Sequence, residues 1–357
     1  MAQFAVIVFI AIALFLLIRV IVRANISMRQ GQSPRGGRAS IGRTNVFAPW
    51  PSAEPPDALG VPYGHPARTA AERLEASLTL FFESRVKDRV LKEFPRMSDK
   101  EWAWTWFELK RYFLMCGIMR NVPMYSRQVD AVWHEMLMFT REYEEFCTGF
   151  CGEMIHHAPH APGALPQPGE RAMFDWLYGE LFAQAPASGR LWGAFYRTRM
   201  PEEKLDEIKE FSKDTLRSQW FNAKTGSRFA DLSSTMDYLI DRAKSGLNDA
   251  GNGRKEPKNE SSYGYDPVLG ATGLLSGMLI YHSMANPNDF AQQMDQAQNE
   301  EQRKANGSGD STYACSGSSD DGRDHSGGDD GGSGGDSSCG SGGDGGGSSC
   351  GGGGCSS

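Results

Sequence analysis

The sequence predicts an all-α fold: a helical bundle domain with an N-terminal transmembrane helix and a disordered Gly/Ser/Asp/Cys-rich C-terminal tail. Three observations lead there. Apolar residues recur at helical spacing almost without interruption from residue 67 to about residue 247. No segment alternates polar and apolar residues for long enough to make a strand. The ends of the 357-residue chain differ so sharply in composition from its middle that only the middle, roughly 200 residues, can enclose a core.

The first element is the run "FAVIVFIAIALFLLI", Phe4 to Ile18. With Arg19 snorkelling along its stem, residues 4–22 are long enough to cross a bilayer. "MAQ" carries no side-chain charge, whereas Arg19, Arg23, Arg29, Arg35, Arg38 and Arg43 all precede the first acid, Glu54. A cleaved signal peptide has its cations before the apolar run. The reversed order therefore predicts a retained anchor, with the N-terminus outside and the helical domain cytoplasmic. Residues 23–66, rich in Pro, Gly and Arg, read as a linker whose arginines face anionic headgroups.

The helical domain is expected over residues 67–264. Leu74, Leu78, Phe81, Phe82, Val86, Val90 and Phe94 predict one helix up to Pro95. Ser98, with Glu101 three places on, caps a second helix that is apolar on nearly every face and so belongs near the centre of the core. Ser126 starts a third helix, which Gly149 and Gly152 close. Further helical patterns cover 170–184, 189–198, 202–222 and 230–247.

Residues 265–285 contain a second apolar segment, "PVLGATGLLSGMLIYHSMA", with Gly273 and Gly277 four apart. Arg254, Lys255 and Lys258 precede it and no cation follows until Arg303, the asymmetry of an outward crossing. Two readings stay open: a second transmembrane helix at 267–285, or an amphipathic or buried glycine-rich hairpin. Residues 286–357 carry twelve acids against three bases, so this tail is −9 and everything before it +2 of the formal −7. It has almost nothing apolar to bury and is expected to be disordered. Cys315, Cys339, Cys350 and Cys355 lack zinc-ribbon spacing. No basic face clusters on the folded part, which excludes a nucleic-acid partner.

The chemistry concentrates in "VDAVWHEMLMFTREYEEFC", Val129 to Cys147. His134-Glu135 could begin a zinc-protease helix, but that motif needs a second histidine four residues after the first, and Met138 stands there. Asp130 does share a face with His134, one turn earlier, and can orient its imidazole. His156, His157 and His160 follow in "MIHHAPHAPG". If that loop folds back, His134 with His156 and His157 forms a three-ligand site for a divalent transition metal such as zinc. The alternative is that these histidines bond backbone carbonyls and tie the loop to the core, with no cofactor. Met136, Met138 and Met154 read as packing, as do Cys147 and Cys151.

Val129-Asp130, Trp133-His134, Phe139-Thr140-Arg141, Tyr143, Phe146-Cys147 and His156-His157 followed by Pro159 resemble the signature of the glycine-rich domain-containing protein-like family. The similarity covers about Leu74 to Pro159. Many members of that family place a further histidine where this chain has Met136. The resemblance implies a helical domain with a shared surface around His134 and His156, and marks Asp130, Trp133, His134, Tyr143, Phe146, Cys147, His156 and His157 as its motif residues. No reaction comes with it. The expected function is a membrane-anchored binding or scaffolding module with a protein partner, and the alternative is a metal-dependent or redox enzyme centred on His134, His156 and His157. In sealed right-side-out vesicles, added protease is expected to leave residues 67–264 intact, and cleavage there would overturn the orientation.

Overall fold

Short polar side chains set where the helices begin. Thr79, Ser98, Ser126, Ser212 and Asn222 each accept a backbone N–H two or three residues on, satisfying donors that a helix leaves unpaired at its start. The computed structural model describes residues 49–157, 168–185, 187–252 and 273–305. Its helices are α1 (Arg68–Ser77), α2 (Leu80–Glu93), α3 (Asp99–Ile118), α4 (Arg127–Leu137), α5 (Thr140–Cys151), α6 (Pro168–Leu181), α7 (Ser188–Trp192), α8 (Glu202–Glu210), α9 (Lys213–Trp220), α10 (Ala223–Arg228), α11 (Ala230–Gly251), α12 (Leu274–Ala285), α13 (Phe290–Ala297) and α14 (Glu300–Ala305). Among the described residues the only extended pairing is one bridge between Met119 and Phe221, so the all-α expectation holds. The anchor at 4–22, the linker up to 48 and the tail from 306 lie outside the described residues.

Where the boundaries differ from expectation, the cause is local. The helix expected to run unbroken to Pro95 divides at Leu78, because the Thr79 hydroxyl takes the Phe82 N–H and starts α2 afresh. Ser212 divides 202–222 into α8 and α9 in the same way. The helix opened by Ser126 breaks at Phe139, whose backbone leaves helical geometry. The pattern at 189–198 stops at Trp192, since Gly193 turns out with φ +80.

α3 lies at the centre. Trp102, Trp104, Trp106, Phe107, Leu109, Phe113 and Leu114 are all buried, and α1, α4, α7, α10 and α11 pack around them. Two charges go down with these rings. Glu108 and Arg111 are 0% and 1% exposed. Glu108 accepts the Ser188 hydroxyl at 2.8 Å on Oε1, and the Trp192 indole N–H and the Tyr178 hydroxyl, each at 2.8 Å, on Oε2. Arg111 donates to the Tyr178 hydroxyl at 2.5 Å and, through Nε, to the Leu59 carbonyl at 2.9 Å. That carbonyl belongs to a turn in which Ala58, Leu59 and Gly60 all have positive φ. Left-handed backbone costs an ordinary residue about 1–2 kcal/mol, so burial of Leu59 and the guanidinium must hold it.

Two expectations about the ends of the domain need correcting, and a segment left open acquires a structure. Residues 57–61, assigned to the linker, are part of the core, with Ala58, Leu59 and Val61 buried. Residues 290–305, assigned to the disordered tail, form α13 and α14, and Phe290 and Met294, one turn apart, pack α13 against α12. The described part of the second apolar segment is α12, twelve residues and so about 18 Å long. The hydrocarbon layer is about 30 Å thick. α12 is enclosed by α6 and α11, with Ser276 donating to Glu180 at 2.9 Å, so its described residues pack as the buried reading of this segment expects. No described helix is long and apolar enough to cross a membrane.

His65 gives this core a pH dependence. Its Nδ1 accepts the Ala67 N–H at 3.1 Å and its ring meets Tyr238 edge-on at 4.7 Å. Burial pulls its pKa down to about 4, opposed by the hydrogen bond that the ring donates to the Glu180 backbone carbonyl and reinforced by Arg242. The unfolded chain binds a proton below pH 6.5 that the fold refuses, so this contribution is complete above pH 6.5 and is lost as the pH falls towards 4. Over that interval the loss should reach about 3 kcal/mol. Asp175, pushed up to about 6 by burial against the opposing pull of Arg171, acts with the opposite sign. Comparing urea unfolding of the wild type with His65→Gln cancels Asp175, and the variant should show the flatter loss between pH 6.5 and 4; equal slopes would count against the assignment.

A candidate metal centre on α4

α4 is amphipathic, and its two faces do different work. Val129, Val132, Trp133 and Met136 are buried against α3 and its neighbours, while Asp130, His134 and Met138 come up on the outer side. Asp130 sits in the first turn and His134 in the last, each at the end where the helix dipole favours its charge. His134 Nδ1 lies 2.8 Å from the Asp130 backbone carbonyl and 3.4 Å from Asp130 Oδ2. A carbonyl only accepts, so Nδ1 donates to it, and Nε2 is the ring nitrogen left for a metal. The side chain remains 51% exposed.

The third member arrives from the segment that follows α5. Gly152, at φ +77, ends α5 and donates to the Cys147 and Thr148 carbonyls at 3.1 Å. A Cβ there would stand 2.8 Å from Arg228 Nη1, which itself donates to the Gly152 carbonyl. The Tyr143 hydroxyl then captures the Ile155 carbonyl at 2.6 Å while accepting the Trp133 indole N–H at 3.1 Å. Thus directed, the chain brings His157 Nε2 to 2.7 Å from Asp130 Oδ1 and its ring edge-on to Trp133 at 4.4 Å. The His134 and His157 rings are also 4.4 Å apart. One ligand-type atom each from Asp130, His134 and His157 all lie within 4.8 Å of one another.

The outcome differs in detail from the sequence expectation. His134 and His157 converge, and Asp130 joins them as a direct neighbour. His156 does not; it is exposed, because successive side chains of an extended segment point to opposite sides. His160 lies outside the described residues. The loop is tied to the core by Asp130, Tyr143 and His157, while His134 stands over the tie. Phe146 and Cys147 pack beneath, Phe146 against Phe113 at 5.2 Å between ring centres. Burial pushes the Cys147 thiol up, and the Cys151 thiol up to about 12, so neither supplies a thiolate. Met138, read as packing, is instead 61% exposed. A separate groove of about 580 Å³, walled by Met119, Val122, Phe174, Leu177 and Trp220, includes none of the three ligand residues.

The clamp makes a specific demand on Tyr143. Tyr143→Phe orphans both the Ile155 carbonyl and the Trp133 indole, and should cost about 1–3 kcal/mol in chemical unfolding. Amide exchange across residues 153–157 should accelerate more than in α3, and uniform protection would show that the hydroxyl does not hold the segment.

The whole site falls inside the one stretch for which a comparison finds a relation. The family described as UCP032817-like matches residues 72–172, less than a third of the chain, from within α1 to the first turns of α6. No curated protein and no solved structure matches the chain.

Proposed function

We propose that this chain is a membrane-anchored helical binding module whose recognition surface is a divalent transition-metal site formed by Asp130, His134 and His157. The observation that carries the reading is the exposed imidazole of His134, held beside a second imidazole and a carboxylate. A histidine kept only for the core would be buried, as His65 is. Among the described residues, His134 is paired with groups of Asp130 on its own helix and with the His157 ring.

Two imidazoles and a carboxylate are a ligand set that zinc and its neighbours accept, and three protein ligands leave positions open for a partner's oxygen or nitrogen. In the metal-free geometry the carboxylate oxygen accepts from His157 Nε2–H, so the proton between them occupies the place that a cation would take. The second neighbours are already in position: Trp133 fixes the His157 ring from its edge, and the clamp fixes the segment that bears it. His134 is 51% exposed over the half-buried Asp130 and His157, which supports capture of a partner from solvent over turnover of an enclosed substrate. Residues 4–22 would hold this surface at the membrane, on the cytoplasmic side by the arginine asymmetry. The resemblance to the glycine-rich domain-containing protein-like family belongs to the same proposal, since its motif residues include Trp133 and Tyr143 of the clamp and all three members of the triad.

Calorimetric titration of the full chain, with Cys315, Cys339, Cys350 and Cys355 changed to Ser so that tail thiols do not compete, should show one zinc ion bound per chain. His134→Ala should weaken that binding by about tenfold or more while leaving the metal-free melting curve in place, because the side chain carries no core contact. At zinc one hundredfold above its Kd the parent should gain about 2.7 kcal/mol of stability, and the variant far less. Equal zinc binding in parent and variant would refute the site.

A further inference from the structure

We infer that Met138 is a fourth ligand of this site and that the site selects copper(I) over zinc; the inference rests on the Asp130, His134 and His157 metal reading. Asp130, His134 and Met138 follow one another at intervals of four. On a helix each such step turns about 40° and rises about 6 Å, so each residue stands one turn above the last on nearly the same face. α4 formally ends at Leu137, but Met138 keeps helical backbone angles, φ −67 and ψ −14, and so holds that register. The position that removes the zinc-protease motif therefore still presents a donor atom beside His134. It is a thioether in place of an imidazole.

Exposure is the second observation. Met136, two residues earlier, is 0% exposed and serves the core, whereas Met138 is 61% exposed. Packing accounts for the first and gives no account of the second. A methionine side chain has three rotatable bonds and a polarisable sulfur, so an exposed one can swing towards a cation held at its neighbour one turn away. Among the described residues, Cys147 and Cys151 are buried and Cys116 is half-buried, burial pushes all three thiols up, and they do not compete as soft donors.

Donor type then decides between the metals. Imidazole suits both zinc and copper, the carboxylate favours harder ions, and thioether sulfur is a soft donor that favours copper(I) and adds little for zinc. Two imidazoles with a thioether make a copper(I) set that leaves the Asp130 carboxylate uncoordinated beside the ion; two imidazoles with Asp130 make a zinc set. One surface thus offers two partly overlapping coordination spheres, and Met138 sets the preference between them. Binding alone is involved, and no electron is transferred.

The experiment uses the full chain with the four tail cysteines changed to Ser, titrated anaerobically with copper(I) against a chromophoric chelator, and separately with zinc. Met138→Leu should weaken copper(I) about tenfold or more and leave zinc within about threefold. Met138→His, which completes a His-x-x-x-His pair on α4, should raise zinc affinity and abolish the copper preference. X-ray absorption of the copper(I) form should show one sulfur neighbour, absent in Met138→Leu. Copper(I) affinity unchanged in Met138→Leu, or no sulfur neighbour, overturns the inference while zinc binding at the triad stands. Failure of both metals to bind would overturn the triad itself.

Discussion

A single buried carboxylate, Glu108, has to be satisfied before the remainder of this molecule can pack. An unpaired ion inside a protein is costly enough that several elements must converge on it at once. α3 supplies the carboxylate, α6 the Tyr178 hydroxyl, α7 the Ser188 hydroxyl and the Trp192 indole, and Arg111 the countercharge. The Ser188 hydroxyl accepts the Ala185 N–H as well, so the connection between α6 and α7 is stitched to the same point. Arg111 extends the arrangement outward to the Leu59 carbonyl and thereby holds three consecutive residues in left-handed backbone. Such a network orients elements more than it stabilises them, because its members lose nearly as much in desolvation as they gain in pairing.

The α4 surface depends on that frame through aromatic contacts. Tyr112, one turn from Glu108 on α3, packs against both Trp192 and Trp133, and Phe113 meets Trp133, Tyr143 and Phe146. Trp133 is thus fixed on its inner side by α3 before its indole reaches Tyr143 and its outer edge supports His157. Apart from the exposed His156, the motif residues fall into two physical groups. Trp133, Tyr143, Phe146 and Cys147 are buried and make the platform, while Asp130, His134 and His157 stand on it with their polar atoms towards one another.

Helical class was legible because apolar periodicity over long stretches has one meaning, and α3 was placed at the centre because no face of it is polar. Breaks at Leu78 and Phe211 were not, since Thr79 and Ser212 could equally have faced solvent within a continuous helix, and apolar spacing does not show that their hydroxyls cap a new one. The turn at Ala58 to Gly60 was hidden in a Pro-rich stretch that composition assigns to a linker; its partner, Arg111, is 52 residues away. At the site, the pairing of Asp130 with His134 follows from helical spacing. Choosing His157 over His156 does not, because the parity of an extended segment is set by the turn at Gly152 and by the Tyr143 hydroxyl. The exposure of Met138 was equally hidden, as spacing alone does not tell an inner methionine from an outer one.

The ties around Glu108 and Arg111 also bear on the order in which the chain can fold. Helical bundles generally fold fast because their contacts are local, but here Arg111 reaches back 52 residues to Leu59, and Glu108 forward 70 to Tyr178 and 84 to Trp192. During synthesis from the N-terminus, α1 to α5 emerge while the α3 carboxylate still lacks its Tyr178, Ser188 and Trp192 donors. The centre can close only after Trp192 has left the ribosome, so the N-terminal half, α4 surface included, waits in a provisional arrangement for a residue nearly sixty positions downstream of it.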